Sequence, residues 1–90
     1  MNIVLEIPSI FRRYTENKTA FEFTGETIGE ALEAFASAYP DVRKVFFDRD
    51  GKLLHSFDIY VNGESVYPLS MERALNDGDK LNIVMIINGG

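Results

Sequence analysis

Ninety residues make one domain, and a hydrophobic fraction of 46% with a charged fraction of 26% fits a folded globular chain while arguing against a disordered or fibrous one. Fourteen acidic against nine basic residues give a formal charge of −5, which repels nucleic acid and anionic lipid and favours partners with basic patches. No cysteine is present, so disulfides, a thiolate nucleophile and Cys-ligated metal are excluded, and the strand-like opening Met1 to Ile7 lacks the features of a signal peptide or membrane span, making the cytoplasm the expected location.

From Ile3 to Ile7 apolar residues alternate, with Ile3, Leu5 and Ile7 on one face and Val4 and Glu6 on the other, and Pro8 ends the strand. A polar loop with Arg12, Arg13 and Lys18 leads to a second alternation that puts Phe21 and Phe23 inward, so the two strands read as a hairpin. Thr27 and Glu30 form a Thr-x-x-Glu capping box, a side-chain solution to the unpaired N–H groups of a helix start. Behind it Ile28, Leu32, Phe35 and Tyr39 recur at helical spacing, and Pro40 stops the helix at Tyr39.

Asp41 to Asp48 reads as a connector containing a helical turn, and Asp50-Gly51 as a turn. His55 falls in an expected strand, in which Phe57, Ile59 and Val61 then share a face opposite Asp58 and Tyr60. Asn62-Gly63 is the strongest hairpin signal, since both types tolerate the positive φ of a type I′ turn, and Glu64 to Tyr67 is the return strand. Ser70 to Leu75 suits one capped helical turn, Asn76-Asp77-Gly78-Asp79 is dense in turn formers, and Leu81 to Ile87 is apolar enough for a central strand.

One helix long enough to cover a sheet, among five strand-like segments, gives an α+β fold: a two-layer roll with a mixed sheet of four to five strands and the helix packed on one face. The most apolar strands, first and last, belong side by side at the centre and parallel, which is the β-grasp arrangement of ubiquitin-like proteins. Residues 1–87 are the expected domain and 88–90 a flexible tail.

No catalytic group of the chain's own stands out. His55 has neither a second histidine nor a cysteine for a metal site or nucleophile pair, and reads as structural or solvated. Asp48 with Asp50, and Asp77 with Asp79, read as turn residues rather than metal ligands. The unusual feature is the closing Asn88-Gly89-Gly90. At average glycine usage of roughly 7%, a terminal Gly-Gly arises by chance in about 0.5% of chains, and a frayed end is the plain reading. The functional one is that a carboxylate entering another enzyme's nucleotide site needs a thin, conformationally free lead, which glycine supplies over a reach of roughly 10 Å.

These residues resemble a family: the ThiS and MoaD type of ubiquitin-like sulfur carriers. The resemblance runs through the opening strand Asn2 to Pro8, the helix after Gly25-Glu26-Thr27, Asp77-Gly78-Asp79 before the last strand, and the closing Gly89-Gly90. Gly51 to Asn62 looks most like the CysO-like carriers of cysteine biosynthesis, whereas ThiS proteins are shorter and lack the Asp41 to Lys52 stretch. The resemblance implies no bound cofactor and no enzyme activity. A partner E1-like adenylating enzyme of the ThiF or MoeB type uses ATP to adenylate the Gly90 carboxylate, and a sulfur donor displaces AMP to leave a thiocarboxylate. That group then delivers sulfur to an acceptor, in the cysteine-type relatives an intermediate on a pyridoxal-phosphate enzyme. Some relatives carry residues after Gly-Gly that a metallopeptidase trims; here Gly90 is last, so no trimming is expected.

Alternation sends Val4, Tyr60, Val84 and Ile86 to the sheet face away from the helix, where they are expected to form one apolar partner-docking patch. In the family, the outward apolar residue at the position of Val84 contributes to such a contact. Two further readings share the fold: a ubiquitin-like modifier conjugated through Gly90 to lysines, and a non-catalytic β-grasp binding module.

Overall fold

The computed structural model describes residues 2–86. In chain order these form β1 (Asn2–Glu6), a 3-10 helix (Ser9–Tyr14), β2 (Ala20–Thr24), α1 (Ile28–Ala38), a 3-10 turn (Pro40–Val42) running into α2 (Arg43–Phe46), β3 (Phe57–Val61), β4 (Glu64–Ser65) and β5 (Lys80–Met85). The five strands make one sheet in the order β2-β1-β5-β3-β4. β1 and β5 run parallel and every other pair antiparallel, so the first and last strands lie side by side as their apolar character predicts. This is the β-grasp roll.

Alternation decides what each strand buries. Ile3 and Leu5 of β1, Phe57, Ile59 and Val61 of β3, and Leu81 and Ile83 of β5 are buried on one face. Against them α1 sets Ile28, Ala31, Leu32, Phe35 and Ala36. The helix starts where the capping box puts it: Thr27 Oγ1 accepts the Glu30 N–H at 3.2 Å. The Glu30 carboxylate reaches back to the Glu26 N–H at 3.4 Å, satisfying a second donor just ahead of the cap.

Phe35 and Phe46 are fully buried, with ring centroids 6.0 Å apart. The expected helical turn in the connector is therefore α2, anchored through Phe46. Phe11 reaches Phe46 and Phe57 edge-on at 5.0 and 5.7 Å, which explains why the stretch after Pro8, expected to be a loop, coils into a 3-10 helix instead.

Ser70 to Leu75 is not helical. Its backbone is taken up by α1: Ile28 N–H donates to Arg73 O at 3.0 Å, Gly29 N–H to Met71 O at 2.8 Å, and Leu75 N–H to Glu26 O at 2.9 Å. The unpaired N–H groups of a helix's first turn thus find carbonyls from a distant segment, and the segment keeps a single turn, closed by Arg73 N–H to Ser70 O at 3.2 Å, in place of a helix. β4 is also shorter than the return strand expected over Glu64 to Tyr67, although Val66 N–H still donates to Ile59 O at 3.1 Å.

The Asn62-Gly63 turn has φ of 51° and 87°, as a type I′ hairpin requires. It is also tied to the entrance of β5. Asn62 Oδ1 accepts the Lys80 N–H at 2.9 Å, and Asn62 Nδ2 donates to Asp79 Oδ1 at 2.9 Å. Asp79 Oδ2 accepts the Asn76 N–H at 2.9 Å. Two segments, the Asn62 hairpin turn and the stretch from Asn76 to Lys80, meet at one buried carboxylate and set where β5 begins.

Candidate functional site at the end of the last strand

Asn88, Gly89 and Gly90, the expected tail and attachment site, lie outside the described residues, as does Ile87, the expected end of the last strand. What the described residues define is the strand that leads to them. β5 is paired on both sides, with Leu5 of β1 beside Leu81 and with Ile59 of β3 beside Ile83. Past Met85 the ladder continues by one bond, from Ile86 N–H to Ser56 O at 2.7 Å. Ile86 is therefore held by the sheet, and residues 87–90 have a maximum reach of roughly 14 Å beyond it.

The sheet face away from α1 carries the proposed docking residues, and the register separates them. Tyr60 pairs with Asn82, which places it diagonal to Val84, and Ile86 follows Val84 at a spacing of two. Tyr60 and Val84 are half-buried and Ile86 is 44% exposed, and Val84 links the other two along β5 from the level of Asn82 to the chain's exit. Val4 is not with them. Its partner on β5 is Lys80, four positions before Val84, a separation of about 13 Å along the strand. A polar belt fills the gap: the Glu6 carboxylate meets Lys80 Nζ at 3.1 Å and accepts from Asn82 Nδ2 at 3.1 Å. The expectation of one four-residue apolar patch is corrected to a three-residue patch at the chain's exit, because parallel pairing of β1 shifts Val4 toward the start of β5.

Asp58 accepts from Ser65 Oγ at 2.6 Å and from the Ile59 N–H at 2.8 Å. His55 does not lie in a strand: it sits exposed in the turn from Leu54 to Phe57, closed by the Phe57 N–H to Leu54 O bond of 3.1 Å. Asp48 accepts the N–H groups of Asp50 and Lys52 at 2.8 and 3.0 Å, and Asp77 accepts the Asn2 N–H at 2.7 Å, which is turn and strand-end chemistry. Among the described residues no three of His, Cys, Asp or Glu are placed to hold a metal ion.

Sequence reasoning treated Asp79 only as a turn former. The Asn76 N–H, helped by the Asn62 amide, holds its carboxyl below the usual carboxylate range. The signal available was an Asp directly before an apolar strand and an Asn at a hairpin turn, but their meeting depends on the sheet order.

The ThiS family model matches residues 6–90. The chain belongs to the ThiS family. Over its full length it is 30% identical to the sulfur carrier protein CysO of Mycobacterium tuberculosis, and the alignment covers all of that protein. It is 31% identical to the small archaeal modifier protein 1 of Haloferax volcanii over 71% of this chain and 70% of that one. Among solved structures, a chain of the Amycolatopsis orientalis BexX/CysO complex superposes with a TM-score of 0.83 at 28% identity, covering 98% of this chain and 99% of that one. ThiS-family membership places the β-grasp roll and the resemblance noted from Gly25-Glu26-Thr27 and Gly89-Gly90 in one lineage, and relatives of both carrier and modifier names share it.

Proposed function

We propose that this ThiS-family chain is a sulfur carrier whose reactive group is the C-terminal carboxylate of Gly90, with cysteine-type biosynthesis as its pathway. The observation that carries the reading is the end-to-end 30% identity with a protein named as a sulfur carrier, together with a family match that extends through Gly90. The chain acts as a substrate of its partners and not as a catalyst. A carboxylate oxygen of Gly90 attacks the α-phosphorus of ATP held by an E1-like enzyme, and pyrophosphate leaves. Sulfide then adds to the acyl carbon and AMP departs, giving the thiocarboxylate that passes sulfur to an acceptor enzyme. ATP belongs to the activating partner, and this chain binds no cofactor.

In this reading the paired β5 strand aims the tail while the exit patch of Tyr60, Val84 and Ile86 seats the folded body on the partner. Asn88 and Gly89 serve as the side-chain-poor lead into the nucleotide site. Attachment to lysines is the second reading, favoured by the modifier named among the relatives. Both activities begin with adenylation, so they part at the second step. Reconstitution with the adenylating enzyme, ATP, sulfide and the acceptor enzyme is expected to support sulfur transfer with the full chain and none with a chain lacking Gly90. Transfer by the truncated chain would overturn the proposal, and lysine-linked conjugates in place of transfer would assign the chain to the modifiers.

A further inference from the structure

Among the described residues three large apolar side chains are well exposed: Ile10 at 64%, Tyr67 at 80% and Ile86 at 44%. All three lie at the pole where β5 ends. Ile10 adjoins Phe11, whose ring meets Phe57, the partner of Met85. Tyr67 follows Ser65 and Val66, which bond to Asp58 and Ile59, and Asp58 is paired with Val84. Beside Ile86 this pole holds a concavity of about 400 Å³ lined by Leu53, Leu54, His55, Tyr67 and Leu69, with Asp58 as its charged member. Among the described residues no lysine or arginine lines it.

We infer that this groove is a recognition pocket for the activating enzyme, taking an apolar side chain carried on a cationic segment beside that enzyme's nucleotide site. The inference rests on the carrier reading. An enzyme that binds ATP must surround a polyphosphate with positive charge, so the surface near the mouth of its site is cationic, and an anionic carrier whose groove carries a carboxylate and no cation complements it. The geometry adds the second requirement: with residues 87–90 reaching at most roughly 14 Å past Ile86, whatever receives the tail touches this pole. An apolar anchor in a desolvated pocket next to complementary charge is the usual centre of binding energy in such contacts.

The test is ATP–pyrophosphate exchange by the cognate adenylating enzyme, with the carrier concentration varied. Tyr67→Ser and Tyr67→Arg change an exposed side chain, so circular dichroism and melting curves should match the wild type. The expected result is a KM for the carrier raised about tenfold in Tyr67→Ser and further in Tyr67→Arg, with kcat retained and Tyr67→Phe restoring the wild-type value. Leu54→Ser, which alters the groove without touching Tyr67, should raise KM in the same way. Unchanged KM in the Tyr67 and Leu54 variants would overturn the inference while leaving the carrier reading intact. Normal activation with impaired sulfur transfer would also overturn it, assigning the groove to the acceptor enzyme. Absence of exchange with the wild-type chain would instead strike at the carrier reading itself.

Discussion

Replacing Asp79 by Asn removes one acceptor from the junction that sets the start of β5. In the native chain the carboxylate accepts from the Asn76 N–H and the Asn62 amide, both at 2.9 Å. An amide at this position keeps a single oxygen and turns an NH2 group toward one of the two donors. Asn62 cannot rotate to compensate, because its own oxygen is held by the Lys80 N–H at 2.9 Å. Losing one charge-assisted hydrogen bond at a buried site, and opposing two donors, costs about 2 kcal/mol. For a domain of this size that lowers the melting temperature by about 10 °C.

The effect depends on pH in a defined direction. The Asp79 pKa is depressed in the folded state, chiefly by the Asn76 N–H, so its contribution is complete above the unfolded value and is lost as pH falls through the folded one. Urea unfolding of wild type and Asp79→Asn should show the full gap near pH 7 and a narrowing gap below about pH 4. A gap of equal size at pH 3 and pH 7, or no gap at pH 7, would refute the assignment of Asp79 as the ionised centre of this junction.

Other variants probe the remaining links. Val84→Ser should reduce the efficiency of activation about tenfold, measured as kcat/KM for pyrophosphate exchange, whereas Val4→Ser should stay within about twofold because Val4 lies across from Lys80 and away from the exit. Thr27→Ala removes the cap on Glu30 N–H and should cost about 1 kcal/mol in urea unfolding. Gly29→Ala would place a methyl group 3.0 Å from Met71 O and 3.1 Å from Met71 Cβ. That carbonyl is fixed by its bond from Gly29 N–H, so the substitution should destabilise by about 1 kcal/mol, opposite to the gain expected from helix propensity alone.

Features governed by local chemistry were legible in the sequence. The period-two pattern of Ile3 and Leu5, the Thr27–Glu30 cap, the Asn62-Gly63 turn and the apolar run after Asp79 each carry their own signal, and together they led to the parallel pairing of β1 and β5. What escaped depended on partners distant in the chain. Ser70 to Leu75 has helix-turn composition, but the open N–H groups of α1 claim its carbonyls. The coil after Pro8 follows from Phe11 finding Phe46 and Phe57. Alternation placed Val4 and Val84 on one face correctly, yet only the register reveals that Glu6, Lys80 and Asn82 lie between them.

The most direct test follows sulfur to a single residue. After incubation with the adenylating enzyme, ATP and sulfide, cleavage behind Lys80 releases the peptide Leu81 to Gly90, which contains no lysine or arginine of its own. Its mass should rise by about 16 Da, the replacement of one oxygen by sulfur, with fragmentation assigning the gain to Gly90. An unmodified peptide alongside proven ATP turnover, or a gain placed on any other residue, would contradict the account.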